Sequence, residues 1–111
     1  MVADDWMMLG AELEELAEDQ SEWSQATFGS DQQRGPVGPL KHLEKEAREA
    51  AANPSDVSEY ADCLLLLLDA SRRAGITPLE LVRAGAAKMQ TNKVRRWGTP
   101  TADGPVEHVR G

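Results

Sequence analysis

Apolar positions recur at helical steps along four stretches of the chain. From Asp4 to about Ala26, Trp6, Leu9, Leu13, Leu16, Gln20 and Trp23 follow one another three or four residues apart, with Glu12, Glu14, Glu15 and Glu18 mostly off that line. This predicts an amphipathic helix, which either runs through or restarts at Ser21, a residue able to cap a second segment. A second helix is predicted from about Pro39 or Leu40 to Ala52, with Leu40, Leu43, Ala47 and Ala50 on one side and Lys41, Lys45 and Arg48 on the far face. Asn53 and Pro54 read as the cap and first residue of a third helix reaching about Ala74, stopped by Gly75. Thr77-Pro78-Leu79-Glu80 is a capping box that starts a fourth, extending to about Arg95 with Leu79, Val82, Ala86 and Met89 on its apolar side.

Helical patterns along the chain and no strand pattern predict an all-α fold, a small antiparallel bundle of four to five helices. With 111 residues there is room for one core. We expect a single domain over residues 1–98 and a flexible tail over 99–111, a stretch rich in Gly, Pro and polar residues. The run Leu64 to Leu68 is apolar on nearly every side of its helix and must be covered all round. Completion of the bundle by oligomerisation, as a homodimer or a dimer of dimers, follows as an expectation.

Charge narrows the possible partners. The net charge of -7 leaves no basic patch for polymeric nucleic acid, although a nucleotide arriving with its own cations is not excluded. The apolar run Ala61 to Ala70 contains Asp62 and Asp69 and falls well short of the roughly 20 residues that span a bilayer, so no membrane association is expected. The opening MVADDWMM has acids where an export signal needs basic residues, which points to the cytoplasm. Cys63 is the one cysteine and sits among leucines, as a small buried hydrophobe does.

Chemistry concentrates on either side of the predicted turn. Glu46-x-x-Glu49 precedes it and Glu59-x-x-Asp62 follows it. Each pair places two carboxylates on one helix face. If the helices fold back about Pro54, residues whose numbers sum to 108 share a level, which sets Glu46 against Asp62 and Glu49 against Glu59. Four carboxylates in such a square repel and raise one another's pKa unless a cation neutralises them. An all-oxygen set suits Mg²⁺ or Mn²⁺, whereas zinc and di-iron centres want Cys or His. His42, one turn before Glu46, reads as a capping or packing residue before a ligand, and Asp69, seven residues after Asp62, as either a supporting group or a surface or capping contact.

These motifs, with the blocks WSQATFG at 23 to 29, GPLKHLEKEAREA at 38 to 50 and KMQTNKVRRW at 88 to 97, resemble the MazG-like all-α nucleoside triphosphate pyrophosphohydrolases, most nearly the phage dATP/dGTP diphosphohydrolase (MazZ-type) branch. The resemblance implies metal-dependent hydrolysis of a purine deoxynucleoside triphosphate, dGTP or dATP, to the monophosphate and pyrophosphate. It implies that Glu46, Glu49, Glu59 and Asp62 hold two or more Mg²⁺ or Mn²⁺ ions and carry catalysis, and that Lys88, Asn92 and Arg96 contact the triphosphate. Trp23 is open to core packing and to stacking on the base. The polar loop from Gly29 to Pro39 is open to a connector role or to one around base or sugar, through Gln32, Gln33 or Arg34. Two other readings stand beside this one: house-cleaning of another or modified dNTP, and a non-catalytic helical oligomerisation module whose acids only keep it in solution.

Overall fold

A computed structural model describes the backbone of residues 3–110 and the side chains of residues 8–110. Trp6, on the apolar line predicted for the first helix, lies outside the described side chains. The elements are α1 (Ala3–Phe28), α2 (Val37–Ala52), α3 (Val57–Arg73), α4 (Pro78–Val94), β1 (Arg96–Trp97) and β2 (His108–Val109). The helical reading holds, and the all-α fold is as expected. The chain forms two compact units, one up to Glu80 and one from Leu81 onward.

α1 passes Ser21 without a break, because the Ser21 hydroxyl accepts a bond from Gln25 Nε2 at 2.9 Å, one turn on, instead of capping a new start. It ends at Gly29, whose φ of 112° is a left-handed conformation that side chains disfavour. α2 starts at Val37, slightly earlier than predicted, with buried Pro39 in its first turn, where a missing N–H leaves nothing unsatisfied.

The start of α3 corrects the sequence reading. Asn53 closes α2, its N–H bonding back to Glu49 and Ala50, and the helix cap is Asp56, which accepts the Ser58 N–H at 2.9 Å. Pro54 explains the shift: it disfavours helical backbone at the residue before it, so Asn53 is forced out of α2 and the turn needs three more residues. α3 stops at Gly75 with φ 83°. α4 begins as predicted, the Thr77 hydroxyl accepting the Glu80 N–H at 3.1 Å behind Pro78.

In the first unit α3 packs against both α1 and α2. Ser24 meets Asp69, and Gly29 and Ser30 meet Arg73, so α1 and α3 advance in the same direction. The short Asn53–Asp56 turn sends α2 the opposite way along α3, which brings the two acidic motifs to one level. The buried centre is unusual in composition. Among the described residues the buried hydrophobics are Leu68 and Ala70, beside buried Gln20, Ser24, Asp69 and Arg73.

In the second unit the remainder of α4 leads into a small hairpin. Arg96 pairs with Val109 and Trp97 with His108, antiparallel, while Trp97 Nε1 donates to the Asn92 carbonyl at 2.9 Å. The segment expected as a loose tail thus contributes one strand, held by an edge contact between the Trp97 and His108 rings at 5.9 Å.

Candidate functional site

The acidic motifs converge where α2 and α3 face each other. Glu46, Glu49 and Glu59 each offer a carboxylate oxygen lying within 4.8 Å of the others. Oxygens sharing an Mg²⁺ or Mn²⁺ ion sit about 2.1 Å from it, hence at most about 4.2 Å apart, so the three need only a small adjustment to share a cation. Glu46 Oε2 and Glu59 Oε2 are buried and have no hydrogen-bond partner, an arrangement costly in water and natural for metal ligands. The electrostatics agree. A hydrogen bond with Glu46 and then the charge of Glu46 raise the Glu49 pKa above the usual carboxylate value. Desolvation first, then the charges of Asp56, Asp62 and Glu46, raise that of Glu59. An all-oxygen donor set with orphaned buried oxygens fits a hard divalent cation.

Asp62 is not within that trio. It is exposed on α3 one turn beyond Glu59 and borders, with Glu46, an adjoining cleft of about 380 Å³. His42 Nε2 bonds to Glu46 Oε1 at 3.1 Å, so it meets the acidic group as a neighbour of a ligand candidate. The cleft runs along α1 from Leu16 to Phe28, a span of about 18 Å at 1.5 Å per residue. Its acidic end has Leu16, Glu46 and Asp62; its far end has Trp23, Phe28, Ser24 and Asp69. Trp23 keeps 59% of its surface exposed and meets the Phe28 ring edge-on at 5.3 Å. It is therefore an open aromatic face, not a core residue.

Asp69 resolves the alternatives left by the sequence. It is buried beneath the cleft and bonded to Ser24 Oγ at 2.6 Å, Arg72 Nη2 at 2.6 Å and Arg73 Nε at 3.2 Å. Burial pushes its pKa up, but hydrogen bonds from Ser24, Arg72 and Gln20 and the charge of Arg73 outweigh that and hold it below the usual range. Arg72 also donates to both oxygens of Asp31, at 3.2 and 3.3 Å. Sequence reasoning missed Ser24, Arg72 and Arg73. The available signal was the seven-residue step from Asp62 to Asp69, which marks one helix face, followed by two arginines within four residues.

Lys88, Asn92 and Arg96 belong to the second unit. Lys88 and Arg96 are exposed, while Asn92 is half-buried, its carbonyl taken by Trp97. Gln32, Gln33 and Arg34 lie in the loop between α1 and α2; Gln33 Oε1 accepts the Ser30 N–H at 3.0 Å, a local turn contact. Cys63 is a free, half-buried thiol.

Residues 16–111 match a family model described as dATP/dGTP pyrophosphohydrolase. The chain belongs to this family. In keeping with it, the fold is shared with the cyanophage S-2L MazG-like pyrophosphohydrolase bound to dGDP and three catalytic Mn²⁺ ions per active site. The TM-score is 0.67 and the identity 28%, over 86% of this chain and 95% of that one. The Eaa protein of Salmonella phage P22 is 48% identical over 99 residues, which are 89% of this chain. The chain spans 30% of the length of Eaa. Among the described residues no helix is long and apolar enough to cross a membrane.

Proposed function

We propose that this dATP/dGTP pyrophosphohydrolase family member hydrolyses a purine deoxynucleoside triphosphate, dGTP or dATP, to the monophosphate and pyrophosphate with the help of Mg²⁺ or Mn²⁺. The observation that carries this reading is the pair of buried, unpartnered oxygens of Glu46 and Glu59 within a trio of converging carboxylates, set at one end of an aromatic-walled cleft. Family membership and the Mn²⁺ and dGDP of the cyanophage protein support the choice of metal and nucleotide. An enzyme of this kind works where the nucleotide pool is, in the cytoplasm.

In this reading Glu46, Glu49 and Glu59, with Asp62 beside them, hold the cations and position the triphosphate. Divalent cations bound there neutralise phosphate charge, acidify water and stabilise the departing pyrophosphate. His42, through its bond to Glu46 Oε1, fixes the orientation of that carboxylate. Water attacks the α-phosphorus, the bond to the pyrophosphate oxygen breaks, and one of the carboxylates accepts the proton that water loses. Trp23 stacks on the base about 10 Å along α1 from the level of Leu16, a spacing suited to the length of a nucleotide. Lys88, Asn92 and Arg96 supply positive and amide contacts to the triphosphate; the charge of Lys88 and Arg96, the amide of Asn92 and the family support the assignment. The test is separation of all products formed from each common NTP and dNTP with and without Mn²⁺. Pyrophosphate released with a purine deoxynucleoside monophosphate, only in the presence of metal, is expected. Release of inorganic phosphate, or no turnover of any of them, sinks the reading.

The assembly belongs to the same proposal. Val57, Tyr60, Leu64 and Leu67 on α3 are 80%, 56%, 41% and 38% exposed and form one stripe at steps of three and four. An apolar stripe of this length on so small a chain needs covering, and a second copy supplies the matching face. Sedimentation at micromolar concentration should give a dimer or dimer of dimers; a monomer there overturns this part alone.

A further inference from the structure

The described side chains include one group whose contacts all point towards the aromatic end of the cleft without lining it. Arg73 has a fully buried side chain at the C-terminal end of α3. Its Nη1 donates to three main-chain carbonyls of the α1–α2 loop, Gly29 at 3.1 Å, Ser30 at 3.2 Å and Arg34 at 3.1 Å. Nη2 donates to Ser24 Oγ at 3.0 Å and Nε to Asp69 Oδ2 at 3.2 Å. The planar, five-donor guanidinium is the one side chain able to serve this many acceptors at fixed angles, which a lysine ammonium cannot do.

What the clamp holds matters for the site. The Arg34 backbone is gripped by Arg73, and the Arg34 guanidinium lies 5.6 Å from the centre of the Phe28 ring. Phe28 meets Trp23 edge-on, and both rings line the cleft. Ser24, bonded to Arg73 and Asp69, lies next to Trp23 on α1 and lines the cleft as well. One buried guanidinium thus fixes the loop, the ring that buttresses Trp23 and the residue beside Trp23.

We propose that Arg73 is a positioning residue for nucleotide binding. Through the carbonyls of Gly29, Ser30 and Arg34 and the hydroxyl of Ser24, it sets the Trp23–Phe28 wall against which the base packs. Its partners are the three loop carbonyls, Ser24, Asp69 and, at 3.7 Å, Asp31, and none of them belongs to the cluster of Glu46, Glu49 and Glu59. Loosening it therefore weakens binding of the base and leaves the chemistry at the phosphate end in place.

This inference rests on the function proposed above, and the experiment separates the two. In Arg73→Lys the charge opposite Asp69 is kept and the fork is lost. Hydrogen exchange of the Gly29, Gln33 and Arg34 amides, which bond to Gln25 and Ser30 in the wild type, is expected to accelerate at least about tenfold. With dGTP and dATP under saturating Mn²⁺, KM is expected to rise about tenfold or more while kcat stays within about threefold. Ser24→Ala, which keeps the three carbonyl bonds, should show a smaller change in the same direction and serves if Arg73→Lys does not fold. Exchange at the wild-type rate overturns the clamp, and that readout needs no turnover. Faster exchange with KM unchanged, or a fall in kcat at constant KM, overturns the positioning role. A wild type that hydrolyses no nucleotide condemns the proposed function and the positioning role built on it, while the exchange rates still decide whether Arg73 holds the loop.

Discussion

Glu46→Gln should remove nearly all turnover, a loss in kcat of about a hundredfold to a thousandfold or more, without loss of fold. The replacement is nearly isosteric and takes away one charge of the trio. Its metal-free protein should melt no lower than the wild type, because the Glu46 carboxylate is what raises the Glu49 pKa most. The pH dependence makes the test sharper. Glu49 and Glu59 have folded-state pKa values raised above 4.5, so the folded state holds protons more tightly than the unfolded one. Their favourable contribution is fully present below pH 4.5 and is lost as pH rises through the raised values. Metal-free wild type should therefore lose stability as pH rises above 4.5 through the raised values, Mn²⁺ should restore it, and Glu46→Gln should reduce both effects. Asp69 acts in a different window: its pKa is lowered, so its contribution is present above pH 3.8 and disappears as pH falls through the lower value. Activity near the wild-type level, or an undiminished rise in Tm with Mn²⁺, would count against Glu46 as a ligand.

Asp69→Ala carries the largest expected cost in stability. Arg72 and Arg73, 20% and 0% exposed, both pair with Asp69; without the carboxylate Arg72 keeps its bonds to Asp31, but the buried Arg73 is left with Asp31 at 3.7 Å as its nearest charge and little water to take the place of Asp69. Breaking a buried pair in this way costs about 3 to 5 kcal/mol, which for a domain of this size lowers Tm by ~15 °C or more. Urea unfolding measures it directly. Asp69→Asn, keeping the shape and some hydrogen bonds, should fall between. The exposed pair of Arg48 and Glu44, at 79% and 67%, is the control, and Glu44→Ala should change stability by less than about 0.5 kcal/mol. A cost for Asp69→Ala no greater than that of the control would show that the network does not hold the fold together.

The helices were legible because their signals are local. Apolar steps, Gly75 as a stop and the Thr77 capping box act within a few residues, and each stands where the sequence put it. The α3 start was misplaced because Asn53 and Asp56 are both good caps; the choice between them depends on how Pro54 forces the end of α2, a matter of backbone geometry. The acidic motifs were legible as two helical pairs, and their numbering about the turn foretold that Glu46, Glu49 and Glu59 meet. It did not foretell that the fourth carboxylate stands apart from the trio on the cleft rim, which depends on the rotation of α3 about its own axis.

By itself the sequence determined the all-α class, the order of the helices and a carboxylate set suited to hard cations, since periodicity, capping and donor chemistry belong to short stretches of chain. Only the tertiary structure decided what lies beneath the cleft. Ser24, Asp69 and Arg73 are far apart in sequence and meet because α1 and α3 run in the same direction. No local pattern distinguishes a buried arginine from a solvated one; what does is the set of loop carbonyls that the fold brings to its guanidinium.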